Sequence, residues 1–153
     1  MKSFDPVVEI ELCSLLLDSS GCWPSFHDAE VYSVSFWSGD IRPDEDIWIG
    51  PQLTVALGIV GPEGETPFAV LRMQFLDCDL VELKGAGPGC APFVYDLEFD
   101  FEERGFYADG LTPLSPYIRV SFSQGPNQEP FLAFRCMKVR AISREVPSGP
   151  PYA

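Results

Sequence analysis

A chain of 153 residues suits one folding unit that can bury a hydrophobic core without metal or disulfide staples. Hydrophobic residues make up 46% of it and 12 are Phe, which excludes the polar composition of a disordered chain. Ten Lys and Arg stand against 23 Asp and Glu, so the net charge of -13 repels nucleic acid and anionic membrane and leaves a basic partner as the natural complement.

Asp5-Pro6 followed by Val8, Leu12, Leu15 and Leu16 predicts a capped amphipathic helix, with proline at the first helical position and Gly21 near the end. Val8, Ile10 and Leu12 also alternate with Glu9 and Glu11, a pattern a strand would share; the helix is preferred. From Glu30 the period becomes two. Val31, Ser33, Ser35 and Trp37 fall on one side of a strand and Tyr32, Val34 and Phe36 on the other. Gly39 to Pro43 and Gly50-Pro51 bracket an acidic loop of Asp44, Glu45 and Asp46. Leu53 to Ile59 forms the next strand, ended by Gly61-Pro62-Glu63-Gly64, with a hairpin-like return over Phe68 to Phe75.

Further strands are expected at Cys78 to Leu83, Phe93 to Phe101, Tyr117 to Phe122 and Phe131 to Ile142, separated by turns such as Gly85 to Gly89 and Gly125-Pro126-Asn127. The expected fold is mainly β: an antiparallel sandwich or strongly curved sheet with one short N-terminal helix, a single β-rich domain over residues 1–146. Pro147 to Pro151 suit neither helix nor strand, so residues 147–153 are expected to be a flexible tail. The five cysteines are odd in number, widely spaced and without a C-x-x-C pair, as for reduced thiols in a cytoplasm. Glu9 and Glu11 interrupt the start where a signal peptide would be continuously apolar, and no later run is long enough to span a bilayer.

The segment from Trp23 to Val31 holds the single histidine among aromatic and acidic residues. Two roles are open for it. Trp23 and Phe26 can anchor a rigid corner whose turn is tied by Ser25, His27 and Asp28, with Glu30 entering the strand. Alternatively, His27 and Asp28 stand at an exposed rim and meet a partner or substrate. A catalytic triad of Ser25, His27 and Asp28 is disfavoured, because in an extended chain Asp28 points away from the other two. One histidine and scattered cysteines do not supply the converging ligands of a transition-metal site, so no metal or cofactor is expected. Gly85-x-Gly87-x-Gly89 contains Pro88 and lacks the helix and lysine of a phosphate loop.

Asp96-Leu97-Glu98-Phe99-Asp100-Phe101-Glu102 alternates strictly, which sends three apolar side chains inward and lines Asp96, Glu98, Asp100 and Glu102 along one surface, about 6.6 Å apart. Such a row is either a solvated face balanced by Arg119 or Arg135 on neighbouring strands, or an imitation of a phosphate backbone that steers a basic protein. Asp44, Glu45 and Asp46 beside Trp48, and the Phe106-Tyr107 pair, are the loops whose residue types suit a contact rim.

Trp23 to Val31 after a short helix, the arginine-bearing Val70 to Phe75, the apolar Leu80-Val81-Glu82-Leu83 and the late Phe134 to Val139 together resemble the immunity protein 50 family, over most of the chain. The resemblance implies a cytoplasmic bacterial protein that binds and neutralises a cognate toxin of a polymorphic-toxin system, without chemistry of its own. A basic nuclease would fit the acidic row. No nucleic acid or membrane partner is expected, and the protein would be a monomer or a homodimer, since an edge strand can pair with a second copy. The alternatives are a carbohydrate-binding β-sandwich, which the aromatics permit, and, more distantly, a carboxylate-dependent hydrolase.

Overall fold

Strands dominate because β-branched and aromatic residues alternate with polar ones along most of the chain. In a computed structural model, residues 2–18, 20–59, 69–84 and 93–146 are described. They contain β1 (Ala29–Trp37), β2 (Asp40–Arg42), β3 (Ile47–Ile49), β4 (Gln52–Ile59), β5 (Ala69–Leu76), β6 (Asp79–Leu83), β7 (Phe93–Val94), β8 (Asp96–Glu102), β9 (Tyr117–Ser123), β10 (Leu132–Cys136) and β11 (Lys138–Glu145). All strand pairings are antiparallel. The order is β11-β5-β4-β1-β7 in a five-stranded sheet and β6-β10-β9-β8 in a four-stranded one, with β2-β3 a separate hairpin. The turn at Gly61 to Gly64, the Gly85 to Gly89 turn, Cys90 and the tail 147–153 lie outside the described residues.

The two larger sheets share one core. Leu53, Val55 and Leu57 of β4 and Leu71, Met73 and Phe75 of β5 are fully buried from one side; Val120, Phe122, Leu132 and Phe134 of β9 and β10 meet them from the other. Phe75 and Phe134 pack edge to face across the gap, with centroids 4.7 Å apart. Each such side chain contributes about 1.5–3 kcal/mol on burial, so this core holds the sheets face to face.

Four sequence expectations are corrected. The helix is a single turn, α1 (Pro6–Glu9), capped by the Asp5 carboxylate, which accepts from the Val7 N–H at 3.1 Å. Beyond it Ile10 is extended, and Glu11 bridges Arg140 of β11 through backbone bonds to Val139 and Ala141. Leu12 then takes a left-handed turn into a short 3-10 segment. Neither expected spacing holds there: Ile10, Cys13 and Leu16 are buried at every third residue, as the 3-10 segment sets them, whereas Val8, Leu12 and Leu15 are exposed. The strand expected over Phe93 to Phe101 is two, because Val94 pairs with Ala29 in one sheet while Asp96 pairs with Ser123 in the other. The strand expected over Phe131 to Ile142 likewise divides at Met137 between β10 and β11. Finally, the acidic loop belongs to a hairpin, with Ile41 opposite Trp48.

A register shift between Val31 and Ser33 also modifies the alternation in β1. It sets Val31 opposite Leu57 and Val34 opposite Val55, so both valines face the core side and Val31 no longer shares a side with Ser33 and Ser35. Cys13, Cys78 and Cys136 are buried and Cys22 exposed, all as free thiols. Burial pushes the Cys78 thiol up to about 12. No described helix is long and apolar enough to cross a membrane.

Candidate functional site

Antiparallel register turns the outer face of the four-stranded sheet into cross-strand rows. One reads Glu98, Ser121, Ala133, Glu82 across β8, β9, β10 and β6; the next reads Asp100, Arg119, Arg135, Asp79. Leu97, Phe99 and Phe101 point to the other side and pack against the core, as strict alternation requires. Phe4 stacks on Phe99 at 4.9 Å and touches Phe101 at 5.3 Å, which holds β8 from within.

The second row carries two cations, which pair with Asp79 in the row and with Glu102 beside it. Arg135 donates a forked pair of bonds to Asp79 at 2.8 and 2.7 Å and a third to Glu102 at 3.0 Å, while Arg119 donates to the other Glu102 oxygen at 3.1 Å. Arg135 also lies over the Tyr117 ring at 4.0 Å. The hydrogen bonds from Arg135 hold both Asp79 and Glu102 below their ordinary carboxylate values.

Asp96, Glu98 and Asp100 have no ion pair among the described residues. Arg119 sits opposite Asp100 in register, but its guanidinium turns to Glu102. Glu98 is pushed above the usual carboxylate range, first by a hydrogen bond with Asp96 that favours the protonated form, then by desolvation and by repulsion from Asp96 and Asp100. Between Glu98 and Glu82 the side chains are small, and Ser121 and Ala133 line a depression of about 350 Å³ with Leu80, Glu82, Asp100, Arg119 and Arg135 at its sides. Glu82 has a loose partner in Lys84 at 3.6 Å.

Trp23, Ser25, Phe26, His27 and Asp28 form the corner at the Asp96 end of β8. Phe26 is buried, and Trp23 packs on Phe26 and on Phe99 at 5.3 and 6.3 Å. The Ser25 hydroxyl accepts from the His27 N–H, and the Asp28 N–H donates to the Val94 carbonyl at 2.8 Å with Asp28 left-handed at φ 67°. The His27 ring donates from Nδ1 to the Tyr95 carbonyl at 3.1 Å. Ser25 and His27 thus serve the turn, and Glu30 enters β1 with its side chain half-buried. The aromatic anchors make this segment the joint between the sheets, while His27 and Asp28 stay exposed beside the acidic face.

The two rim loops are ordered projections. Arg42 pairs with Asp40 and with Glu45, and the Asp46 carboxylate accepts from the Trp48 indole N–H at 3.1 Å, which leaves Trp48 65% exposed and fixed in direction. Asp44 has no ion pair among the described residues. Phe106 and Tyr107 lie in a small loop closed by Tyr107 to Thr112 and Leu114 to Gly105 backbone bonds. Their rings are 60% and 57% exposed. The Phe106 loop lies toward the Glu102 end, since Arg104 reaches Met137 at 3.8 Å, and the base of the β2-β3 hairpin lies at Gly50 beside Asp77. The structure does not bring them onto the acidic row itself.

Sequence inspection missed Asp79 as the fork-bonded partner of Arg135, and missed Arg104 and Tyr117 as one stacked cluster. Arginine at alternate positions of the late strands was the available signal, but only the pairing of β6 with β10 shows which acid it meets. No group of three or more described His, Cys, Asp or Glu side chains could hold a metal. These features define a two-sheet, mainly β protein with an acidic outer face. In comparisons with known proteins the chain matches no family model, no curated protein and no solved structure.

Proposed function

We propose that this chain is a non-catalytic binding protein that neutralises a basic protein partner by occluding it, and that the partner is a cognate toxin, with a nuclease the favoured class. The observation that carries this is the cation-free row of Glu98, Ser121, Ala133 and Glu82 beside a row in which two arginines fill the same positions. A lysine or arginine of a partner laid over Ser121 and Ala133 would complete the first row as Arg119 and Arg135 complete the second. Asp96, Glu98 and Asp100 then exchange mutual repulsion for charge-assisted bonds, and the net charge of -13 steers a basic partner toward the face. The toxin as partner class, and the cytoplasm as place of action, follow from the resemblance of Trp23 to Val31 and the later strands to immunity protein 50. Trp48, Phe106 and Tyr107 would extend the contact at the rim, flanked by Asp44, Glu45 and Asp46.

Co-expression with basic nuclease toxins of polymorphic-toxin systems, followed by pull-down and calorimetric titration, tests this function. Rescue of growth with tight one-to-one binding is the expected result; toxicity unrelieved by the chain, with no heat of binding, would refute it.

A further inference from the structure

A cleft of about 550 Å³ opens between the N-terminal segment and the loop that follows β8. Its walls are largely apolar, from Phe101, Phe106, Pro113 and Leu114, and its size is that of a small-molecule pocket. The loop wall is preformed: besides the backbone bonds at Gly105 and Tyr107, the Asp109 carboxylate accepts from Leu111 and Thr112 N–H at 2.9 Å each and from the Thr112 hydroxyl at 2.6 Å.

The charges on this cleft sort into spent and unspent. Lys2 and Glu9 neutralise each other at 2.7 Å. Arg104 and Arg144 are the cations without a carboxylate partner among the described residues, and Arg144 is engaged with the Leu16 carbonyl away from the cleft. Arg104 is held by the Ser115 carbonyl at 3.3 Å, the Met137 sulfur at 3.8 Å and the face of Tyr117 at 4.8 Å, none of which cancels its charge. Glu103 lines the same cleft and also has no cation partner among the described residues.

One free positive charge and one free negative charge beside an apolar cleft match a zwitterion that carries an apolar group. We infer that the cleft binds an apolar α-amino acid, its carboxylate on Arg104, its ammonium on Glu103 and its side chain against Phe106 and Leu114. A polyanion is unsuited, since Glu9 and Glu103 share the walls. A purely apolar molecule would leave both free charges unused.

The test is calorimetric titration of the whole chain with L-phenylalanine, 3-phenylpropionate and 2-phenylethylamine, which share a ring and differ in the charged groups. L-Phenylalanine is expected to bind about fivefold more tightly than either analogue, the scale of one partly exposed ionic contact each. Arg104→Gln should bring its affinity down to that of 2-phenylethylamine, and Glu103→Gln to that of 3-phenylpropionate. Equal affinity for all three, or no binding by any, would overturn the inference. Glu98→Lys lies outside the cleft lining and should leave amino-acid binding unchanged while weakening partner binding, so failure of the one reading is distinguishable from failure of the other although Phe106 serves both.

Discussion

Two adjacent rows on one sheet face, two residues apart along β8, β9 and β10 and three apart along β6, have opposite electrostatic characters. Asp100, Arg119, Arg135 and Asp79 include their own cations, and Asp79 and Glu102 are consequently held acidic. Glu98, Ser121, Ala133 and Glu82 include none, and Glu98 is pushed the other way by Asp96 and Asp100. Both rows lie on the same pairing of β8, β9 and β10, and a register shift between Ala133 and Arg135 separates them where β10 meets β6, so the difference comes from side-chain choice and from that shift. A face built only for solubility would have gained from spreading its arginines; concentrating them at one end leaves the other end charged and open.

The largest expected effect removes what both rows stand on. Phe99→Ala deletes the ring stacked between Phe4 and Trp23 under β8 and should destabilise the fold by about 3 kcal/mol, read from urea denaturation. A change below about 1 kcal/mol would mean that β8 is not braced from within.

Charge substitution then separates the rows. Glu98→Lys with Asp100→Lys should slow association with a basic toxin by about tenfold and flatten its dependence on salt, since steering charges act mainly on the association rate. Glu102→Gln should change the rate little, because Arg119 and Arg135 already neutralise that carboxylate. Stopped-flow kinetics at several ionic strengths decide it, and equal effects from both substitutions would dissolve the distinction between the rows.

The smallest effects are in stability against pH and have opposite signs. Asp79 and Glu102 titrate below their ordinary values of 3.8 and 4.5, so the stability they contribute is present above those values and lost as pH falls through their folded pKa. Arg135→Gln should therefore lower the melting temperature at pH 7, with the deficit shrinking below pH 3.8. Glu98 titrates above 4.5, so its protonated form favours folding and that advantage disappears as pH rises. Glu98→Gln should thus melt slightly higher than the native chain at pH 7 and converge with it in acid. Calorimetric scans across pH would show the two variants departing in opposite directions; parallel curves would refute the assignment.

Strand character was legible wherever the period of two was unbroken. Leu53 to Ile59 and Asp96 to Glu102 are strands; the second has the sidedness that alternation requires, whereas the first is buried on both faces from Val55 to Ile59. The division of Phe93 to Phe101 at Tyr95, and of Phe131 to Ile142 at Met137, was not legible, because the chain bends there at residues of ordinary strand composition, with no glycine or proline to mark the break. The N-terminal segment carried helical and strand spacings together, and the bridge from Glu11 to β11 ended the helix after one turn, leaving a 3-10 segment that buries Ile10, Cys13 and Leu16, a set neither spacing shows. Trp23 and Phe26 were legible as anchors by size alone; that Phe99 receives Trp23 was not.

What the sequence determined by itself is the class of structure and the charge of one surface: alternation fixes which side of β8 faces water, and 23 acidic residues against ten basic ones fix its sign. Only the tertiary structure decided which charges remain free. Whether a carboxylate is cancelled depends on cross-strand register, which sets Arg135 between Asp79 and Glu102 and places Ser121 and Ala133 beside Glu98. Register arises from long-range pairing and core packing, and no local stretch of sequence contains it.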